Sequence, residues 1–359
     1  MRTEVKMILN RGTASNSLKY SIFLFIGIFS FSCSKSQQTP VTPVAKINLS
    51  KGADVSWLSE MEAAGIKFYD STGAQQDCMA ILKSLGINSI RLRAWVRPAG
   101  GWNNTADLVA KAKRAKNLGM KLMIDFHYSD TWADPGHQTK PAAWSGLSFS
   151  DLQMALYNYT KGVMDTLNLN GIIPNWVQIG NETNDGMLWP DGGVSANQNN
   201  FSNFAALVTQ GYNAVKAVSD TTKIIVHISN GYDNGLFRWM FDGLTSSGAK
   251  FDIIGMSLYP SYTSTGWAPV NFQCLTNMND MISRYNKPVM IVEAGMPEND
   301  PGAARSFLSD IISKTKSVAN GNGLGVFYWE PECYGNWNGY GLGAFDNSGK
   351  PTAALNAFH

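Results

Sequence analysis

Eight short runs of β-favouring residues recur along residues 51–330, and each is followed by helical periodicity or by a loop. This alternation is typical of a parallel α/β architecture, in which helices cover the strands. The predicted strands are Gly52–Ser56, Ser89–Arg93, Leu122–His127, Trp176–Gly180, Lys223–Ile228, Ile253–Leu258, Val289–Glu293 and Gly325–Trp329. Eight such units in roughly 300 residues match the size of one (β/α)₈ barrel. We therefore predict an α/β chain with a single TIM barrel domain over residues 49–359.

Helical patterns fit between several of these strands. The predicted helices are Asp77–Leu85, Thr105–Leu118, Ser150–Leu167 and Asn200–Val218. Gly86, Gly119 and Gly171 lie just after three of them, where helix C-caps favour glycine. A doubly wound sheet is the alternative architecture, but no glycine-rich phosphate loop follows any predicted strand.

The amino terminus has the pattern of an export signal. Basic residues within positions 1–20 precede an apolar run at 21–31, and Ser32 and Cys33 follow directly. A transmembrane helix is the weaker alternative, because spanning a bilayer takes roughly 20 apolar residues. The small residue before Cys33 and the Ser, Gln, Thr and Pro residues after it resemble a bacterial lipobox. We predict a lipoprotein signal peptide in residues 1–32, a flexible tether in 33–48 with Cys33 lipidated, and an exported lipoprotein at the outer membrane, on the cell surface or the periplasmic face.

The charge balance argues against an ionic macromolecular partner. The formal charge is +2, but the first 32 residues contribute +3, so the rest of the chain is near −1. This balance gives no electrostatic footprint for nucleic acid or for an anionic bilayer. We therefore expect that the protein binds no nucleic acid and touches a membrane only through its lipid anchor. The protein is also expected to be a monomer. A neutral polysaccharide is compatible with the charge, and the 41 aromatic residues include candidates for stacking on sugar rings.

Cofactors and metals are not predicted. Apart from Cys33, the chain has only Cys78, Cys274 and Cys333, and their spacing is not that of a metal site.

Two glutamates stand at the ends of predicted strands, Glu182 after the fourth and Glu293 on the seventh. The carboxyl ends of barrel strands build the active site in this fold. Glycoside hydrolysis needs one carboxyl group to protonate the leaving oxygen and a second to stabilise the anomeric carbon, and a separation of about 5 Å gives retention of configuration. We predict this short separation. We also expect Arg91 to keep Glu293 ionised, and the charge of Glu293 to raise the pKa of Glu182.

Other polar and aromatic residues near the strand ends are predicted to bind substrate. Asn181 could hydrogen-bond the sugar 2-hydroxyl, His127 could contact the same sugar, and Trp329 could form the platform beneath it. The predicted substrate-binding set is Arg91, Trp95, His127, Asp130, Trp132, Asn181, Trp189, His227, Tyr259 and Trp329.

Several long strings resemble glycoside hydrolase family 53, the endo-β-1,4-galactanases. They are Gly52–Trp57, Asp125–Gly136, Gln138–Trp144, Val177–Asn184, Gly186–Pro190 and Phe327–Pro331. The resemblance runs from about residue 51 to the end of the chain. It implies a retaining mechanism with Glu182 as acid/base and Glu293 as nucleophile, and endo-cleavage of the β-1,4-galactan in pectic arabinogalactan.

Two departures from the family pattern limit what the resemblance implies. Some bacterial members bind calcium in a long insertion after strand seven, whereas here Met296–Pro301 leads almost directly into a helix, so no calcium is expected. The seventh strand also ends in Glu-Ala-Gly-Met-Pro rather than Glu-Thr-Gly-Tyr-Pro. Two alternatives stay open: another retaining barrel glycanase (a mannanase, xylanase or cellulase), and a non-catalytic glycan-binding lipoprotein.

Overall fold

The computed structural model describes residues 49–359. Eight parallel strands form a closed barrel in which each strand pairs with its neighbours in chain order and the last pairs with the first. A two-stranded antiparallel ribbon, β5 and β6, lies in the loop after β4. The strands are β1 Ser50–Asp54, β2 Ser89–Ala94, β3 Lys121–Phe126, β4 Trp176–Ile179, β5 Gly186–Met187, β6 Gly192–Gly193, β7 Lys223–Ile228, β8 Ile253–Leu258, β9 Val289–Ala294 and β10 Gly323–Trp329.

Helices connect the barrel strands and cover the outside of the barrel. They are α1 Leu58–Ala63, α2 Cys78–Ser84, α3 Thr105–Asn117, α4 Phe149–Leu169, α5 Ser202–Lys216, α6 Asn234–Ser246, α7 Trp267–Tyr285 and α8 Pro301–Ser317. Several begin at a residue whose side chain accepts a hydrogen bond from the first turn, for example Asn104 before α3 and Ser148 before α4. Such caps satisfy backbone N–H groups that have no partner inside the helix.

The barrel has two apolar layers. One fills the space between the strands and the surrounding helices. The other lies inside the barrel and consists of Met123, Trp176, Ile225, Ile253, Met290, Val292 and Phe327. A Cβ atom at Gly52 would lie 2.1 Å from the Phe327 ring, so β1 needs glycine at this point. The inner layer closes the barrel from below and leaves its upper end open to solvent.

The predicted (β/α)₈ barrel is confirmed. Lys223–Ile228 and Ile253–Leu258 have the predicted bounds, and the other barrel strands agree to within two residues at each end. Gly86, Gly119 and Gly171 have φ values of 93°, 67° and 67°, as expected for helix C-caps. The predicted signal peptide and the tether with Cys33 lie in residues 1–48, outside the described residues. Among the helices of residues 49–359, none has the length and apolar character needed to span a membrane.

Candidate active site

A cavity of about 910 Å³ opens at the carboxyl ends of the barrel strands. Nine of the twelve predicted catalytic and binding residues line it: Trp95, His127, Asp130, Trp132, Asn181, Glu182, Tyr259, Glu293 and Trp329. The other three, Arg91, Trp189 and His227, are not part of its wall. The two glutamates, separated by 111 positions in the chain, therefore face one cleft.

Glu293 is held at the bottom of the cleft by donors on three sides. It lies on β9 and is 5% exposed. Arg91 Nη2 is 2.8 Å from its Oε1, and the Tyr259 hydroxyl donates to its Oε2 over 2.9 Å. Ser257 Oγ lies 3.5 Å from the same Oε2. Hydrogen bonds of this kind favour a carboxylate anion.

Glu182 reaches the cleft from the loop after β4. The backbone there turns sharply, since Gly180 has φ 83° and Glu182 itself has φ 43°. A non-glycine residue in this left-handed region is strained by about 1 kcal/mol or more. The Glu182 N–H lies 3.3 Å from Nδ1 of the buried His227, and the side chain is half-buried beside the cavity.

Burial raises the pKa of both glutamates. The pKa of Glu182 rises to about 7, mainly because the carboxyl group is withdrawn from water. The pKa of Glu293 rises to about 8, again mainly because of burial; the Arg91 guanidinium opposes that rise and the charge of Glu182 adds to it. The ion pair expected between Arg91 and Glu293 is present. However, the charge of Glu293 was expected to raise the pKa of Glu182, whereas burial raises it, with smaller contributions from the charges of Asp134 and Asp125. It is the charge of Glu182 that raises the pKa of Glu293.

Arg91 is a buried cation that pairs with acidic side chains and does not line the cleft. It is fully buried, which corrects its assignment to the substrate-binding set. Its Nη1 bonds Asp54 at 2.7 Å, and its Nη2 lies 2.8 Å from Asp125 and 2.9 Å from Asn181 Oδ1. Asp54 and Arg91 are register partners on β1 and β2, so sheet pairing itself brings these charges together. The guanidinium thus fixes the position of Glu293 from beneath.

His227 is likewise covered, by the backbone of Glu182, and is not a cavity residue. Burial keeps its pKa well below the ordinary value, so the ring is neutral. Its Nδ1 accepts the Glu182 N–H and lies 2.8 Å from Gln178 Nε2, which leaves the proton on Nε2. Nε2 lies 2.7 Å from Ser257 Oγ, so the Ser257 hydroxyl is free to donate to a glutamate of the cleft.

Three other predicted residues hold the rim and wall in place. His127 Nε2 lies 3.0 Å from Asp125, and its Nδ1 accepts from Trp95 Nε1 at 3.3 Å. Asn181 Nδ2 donates to the Ala133 carbonyl over 2.8 Å. Asp130 accepts the backbone N–H groups of Arg97 and Ala142, at 2.9 Å each, and so joins two loops at the cleft rim.

Five aromatic side chains form one continuous cluster along the cleft. Trp57 packs against Trp132 and Trp329 with ring centroids 5.3 and 5.4 Å apart. Trp95 packs on Trp132 at 5.1 Å, and Tyr340 packs on Trp329 at 4.8 Å. All five line the cavity. Aromatic rings at a cleft wall can stack on the apolar faces of sugar rings.

Behind the aromatic cluster lie the acidic residues Glu330 and Glu332, both fully buried. Glu330 accepts from Arg93 at 2.5 Å and from the Trp57 N–H at 3.1 Å. Burial and the neighbouring Glu330 hold the pKa of Glu332 well above its ordinary value. Glu330, Glu332 and Cys333 have side-chain atoms that could bind a metal and that lie within 4.8 Å of one another. In residues 49–359 this is the one such group of three His, Cys, Asp or Glu residues. Arg93 pairs with Glu330 of this group.

Trp189 corrects one more sequence assignment. Its indole N–H donates to the Asp185 carbonyl, and the side chain supports the loop after β4 rather than the cavity wall. Sequence reasoning also missed the buried Asp54, Gln178 and Ser257. Asp54 could have been found, because a charged residue inside an otherwise apolar strand needs a buried partner.

Known proteins resemble this chain over most of its length. The family model described as glycosyl hydrolase family 53 matches residues 50–302 and 297–358. A probable arabinogalactan endo-beta-1,4-galactanase A of Neosartorya fischeri is 39% identical over 78% of this chain and 83% of its own. The arabinogalactan endo-beta-1,4-galactanase of Thermothelomyces thermophilus is 35% identical over 86% of this chain and 98% of its own. The solved structure of a fungal beta-1,4-galactanase superposes with a TM-score of 0.79 at 34% identity, covering 86% of this chain and 99% of that one.

The family model covers nearly all of the described residues, from residue 50 in β1 to residue 358. Glu182, in the loop after β4, and Glu293, on β9, both lie within the matched residues. The chain therefore belongs to glycosyl hydrolase family 53.

Proposed function

We propose that the protein is a retaining endo-hydrolase of the β-1,4-galactosidic bonds in galactan, the side chain of type I arabinogalactan in pectin. The observation that carries the proposal is the pair of glutamates in one cleft, with donors directed at Glu293 and none of the same strength at Glu182. Family membership and the relatives named as galactanases support the choice of galactan.

In this proposal Glu293 is the nucleophile. Arg91 at 2.8 Å and the Tyr259 hydroxyl at 2.9 Å stabilise its anionic form. Because burial raises the pKa of both glutamates, the pair retains a proton near neutral pH. We assign that proton to Glu182 on the contacts alone, because Arg91 and Tyr259 donate to Glu293. The two glutamates thus begin the reaction in the two protonation states that hydrolysis requires.

The reaction proceeds by two displacements. A Glu293 carboxylate oxygen attacks the anomeric carbon while the bond to the leaving oxygen breaks, and Glu182 gives that oxygen its proton. Once the glycosyl ester has formed, Glu293 is neutral, and Glu182, now a carboxylate, takes a proton from water. The water oxygen bonds to the anomeric carbon, and Glu293 leaves as the carboxylate. Two inversions give net retention, which requires about 5 Å between the two carboxyl groups.

Substrate binding is assigned to the cavity wall. We assign the sugar at the cleavage point to Trp329, His127 and Asn181, and neighbouring sugars to the other aromatic residues of the cleft. The cleft is open to solvent along the barrel mouth, as internal cleavage of a long polymer requires.

Digestion of linear β-1,4-galactan tests this function. We expect a ladder of galacto-oligosaccharides, and by NMR the newly formed reducing ends should appear first as the β-anomer. Mannan, xylan and cellulose serve as parallel substrates. Preferential hydrolysis of one of these would favour another barrel glycanase, and binding of galactan without hydrolysis would favour a non-catalytic glycan-binding lipoprotein. Initial release of the α-anomer would exclude a retaining mechanism.

We further propose that residues 1–32 are a lipoprotein signal peptide and that lipidated Cys33 anchors the catalytic domain, 49–359, through the tether of residues 33–48. The sequence around Cys33 supports this. Expression in a bacterial host, fractionation and mass spectrometry of the mature amino terminus test it. We expect an acylated Cys33 in the membrane fraction and release of active protein by Cys33→Ser. Protease treatment of intact cells would distinguish surface display from a periplasmic position, and size-exclusion chromatography of the domain should give a monomer.

A further inference from the structure

Arg93 is a buried arginine that the reaction above does not use. It lies near the carboxyl end of β2, two residues after Arg91, and its side chain is 1% exposed. Its Nη1 donates to Glu330, but within residues 49–359 neither its Nε nor its Nη2 has a hydrogen-bond partner. Buried donors without acceptors are costly, so another interaction has to compensate them.

Three tryptophan rings surround the unpaired part of this guanidinium. Arg93 Cζ lies 4.2 Å from the ring centroid of Trp132 and 5.0 Å from those of Trp57 and Trp95. A cation within about 6 Å of an aromatic face is attracted by the ring quadrupole, and the attraction grows when the cation is desolvated. The rings thus take the place of the missing acceptors.

These three rings belong to the wall of the cleft. Each lines the cavity, and Trp132 packs on both of the others. Arg93 therefore touches the wall from behind, on the side away from solvent. Glu330 orients the guanidinium, since its other carboxylate oxygen accepts the Trp57 N–H.

The neighbouring Arg91 gives a direct contrast on the same strand. Arg91 bonds the carboxylates of Asp54, Asp125 and Glu293, and its remaining donors bond the amide oxygens of Gln178 and Asn181. Arg93 bonds one carboxylate and faces three rings. The first arginine holds the proposed nucleophile, and the second contacts no residue proposed to react.

We propose that Arg93 is a positioning residue that fixes Trp57, Trp95 and Trp132 in the orientation in which they bind the sugar chain. The proposal rests on the proposed function for the identity of the ligand, but the arrangement of the rings can be measured without any ligand. Lysine is a poor replacement, because its compact, strongly hydrated ammonium cannot lie flat against several rings.

The test compares Arg93→Met and Arg93→Lys with wild type. Near-ultraviolet circular dichroism reports the asymmetric packing of the tryptophans, and far-ultraviolet circular dichroism reports the barrel. For Arg93→Met we expect a diminished near-ultraviolet signal with an unchanged far-ultraviolet spectrum. On galactan, KM should rise ~10-fold or more while kcat changes by less than ~3-fold, since uniform binding is lost. Arg93→Lys should give intermediate values and provides the measurement if Arg93→Met does not fold.

Arg114→Met is the matched control. Arg114 is an ion-paired arginine that bonds Glu62 and Asp77 on the outer surface. Its loss should lower the melting temperature without changing the near-ultraviolet spectrum or KM. A wild-type near-ultraviolet spectrum in both Arg93 variants would overturn the proposal, as would a fall in kcat at unchanged KM. Wild-type protein that does not hydrolyse galactan would overturn the proposed function instead, while the spectra would still decide the role of Arg93.

Discussion

Arg91 Nη2 lies 2.8 Å from Oε1 of Glu293, and the same guanidinium also contacts Asp54 and Asp125. One buried cation therefore serves three carboxylates. When Glu293 becomes a neutral ester during the proposed reaction, Arg91 keeps its contacts with Asp54 and Asp125 and remains a paired ion. The site can lose and regain the charge of Glu293 without leaving a bare cation in the barrel.

The two glutamates should respond differently to removal of the carboxyl group. Glu182→Gln should lower kcat on galactan by about 10²–10⁴-fold, because general acid assistance contributes on that order. It should form the glycosyl ester readily from an aryl galactoside, whose phenolate needs no proton to leave. Glu293→Gln should be inactive on both substrates. Comparison of galactan and aryl galactoside rates checks the assignment, and Glu182→Gln with near-wild-type activity on galactan would refute the role of Glu182.

Tyr259→Phe removes the hydroxyl that donates to Glu293 Oε2. Hydrogen bonds to charged groups contribute about 1.5–3 kcal/mol, so kcat should fall about 10–100-fold. KM should change little, because the hydroxyl acts on Glu293. The matched control is Tyr262→Phe, since Tyr262 lies on the same loop, lines the cavity and is 76% exposed. Equal kcat losses in the two variants would argue against a specific role for Tyr259.

The activity of the wild-type enzyme should fall on the alkaline side. The pKa of Glu182 is raised to about 7, so the acid is protonated below that pH and loses its proton above it. The value of kcat/KM on galactan should therefore decrease about tenfold per pH unit above the transition. Glu182→Gln, assayed with the aryl galactoside, should lack this alkaline limb for formation of the glycosyl ester. A flat wild-type profile up to pH 9 would contradict the assignment.

Glu332 should make stability depend on pH in a defined direction. Its pKa is raised in the folded protein, chiefly by burial, so the unfolded chain loses this proton first as pH rises above about 4.5. The free energy of unfolding then decreases by up to about 1.4 kcal/mol per pH unit until the folded form also ionises. Glu332→Gln cannot ionise and should lose this decrease.

Urea unfolding at pH 4 and pH 8 measures the effect. Glu332→Gln should gain stability relative to wild type at pH 8 and little at pH 4. Glu298→Gln, at a partly exposed glutamate, should keep the wild-type dependence. If Glu332→Gln is destabilised more at pH 8 than at pH 4, Glu332 is an anion in the folded protein.

The barrel was predictable because its strands are buried on both faces and therefore appear as continuous apolar runs. Lys223–Ile228 and Ile253–Leu258 are of this kind and have the predicted bounds. The ribbon of β5 and β6 was not predicted, because two residues per strand are too few to show a period. The helix α1, with six residues, is also too short for a helical pattern to be recognised.

The site was only partly predictable, because position at a strand end does not determine which side chains reach the cavity. Glu182 and His227 both lie at such ends, but the Glu182 backbone covers His227. The same holds for Arg91, which is covered by Glu293 and Asn181. These distinctions depend on contacts between residues that are distant in sequence.

The left-handed backbone at Glu182 has a counterpart on other strands, since Tyr128, Asn230 and Glu330 also have positive φ just after β3, β7 and β10. Each such position carries backbone strain of about 1 kcal/mol or more that a glycine would not have. A screen that selects only for thermal stability would therefore favour glycine at position 182. The selected proteins would be more stable but would no longer hydrolyse the polysaccharide. Variants with higher stability should therefore be selected for catalytic activity as well, and the residues at the carboxyl ends of the barrel strands should be kept.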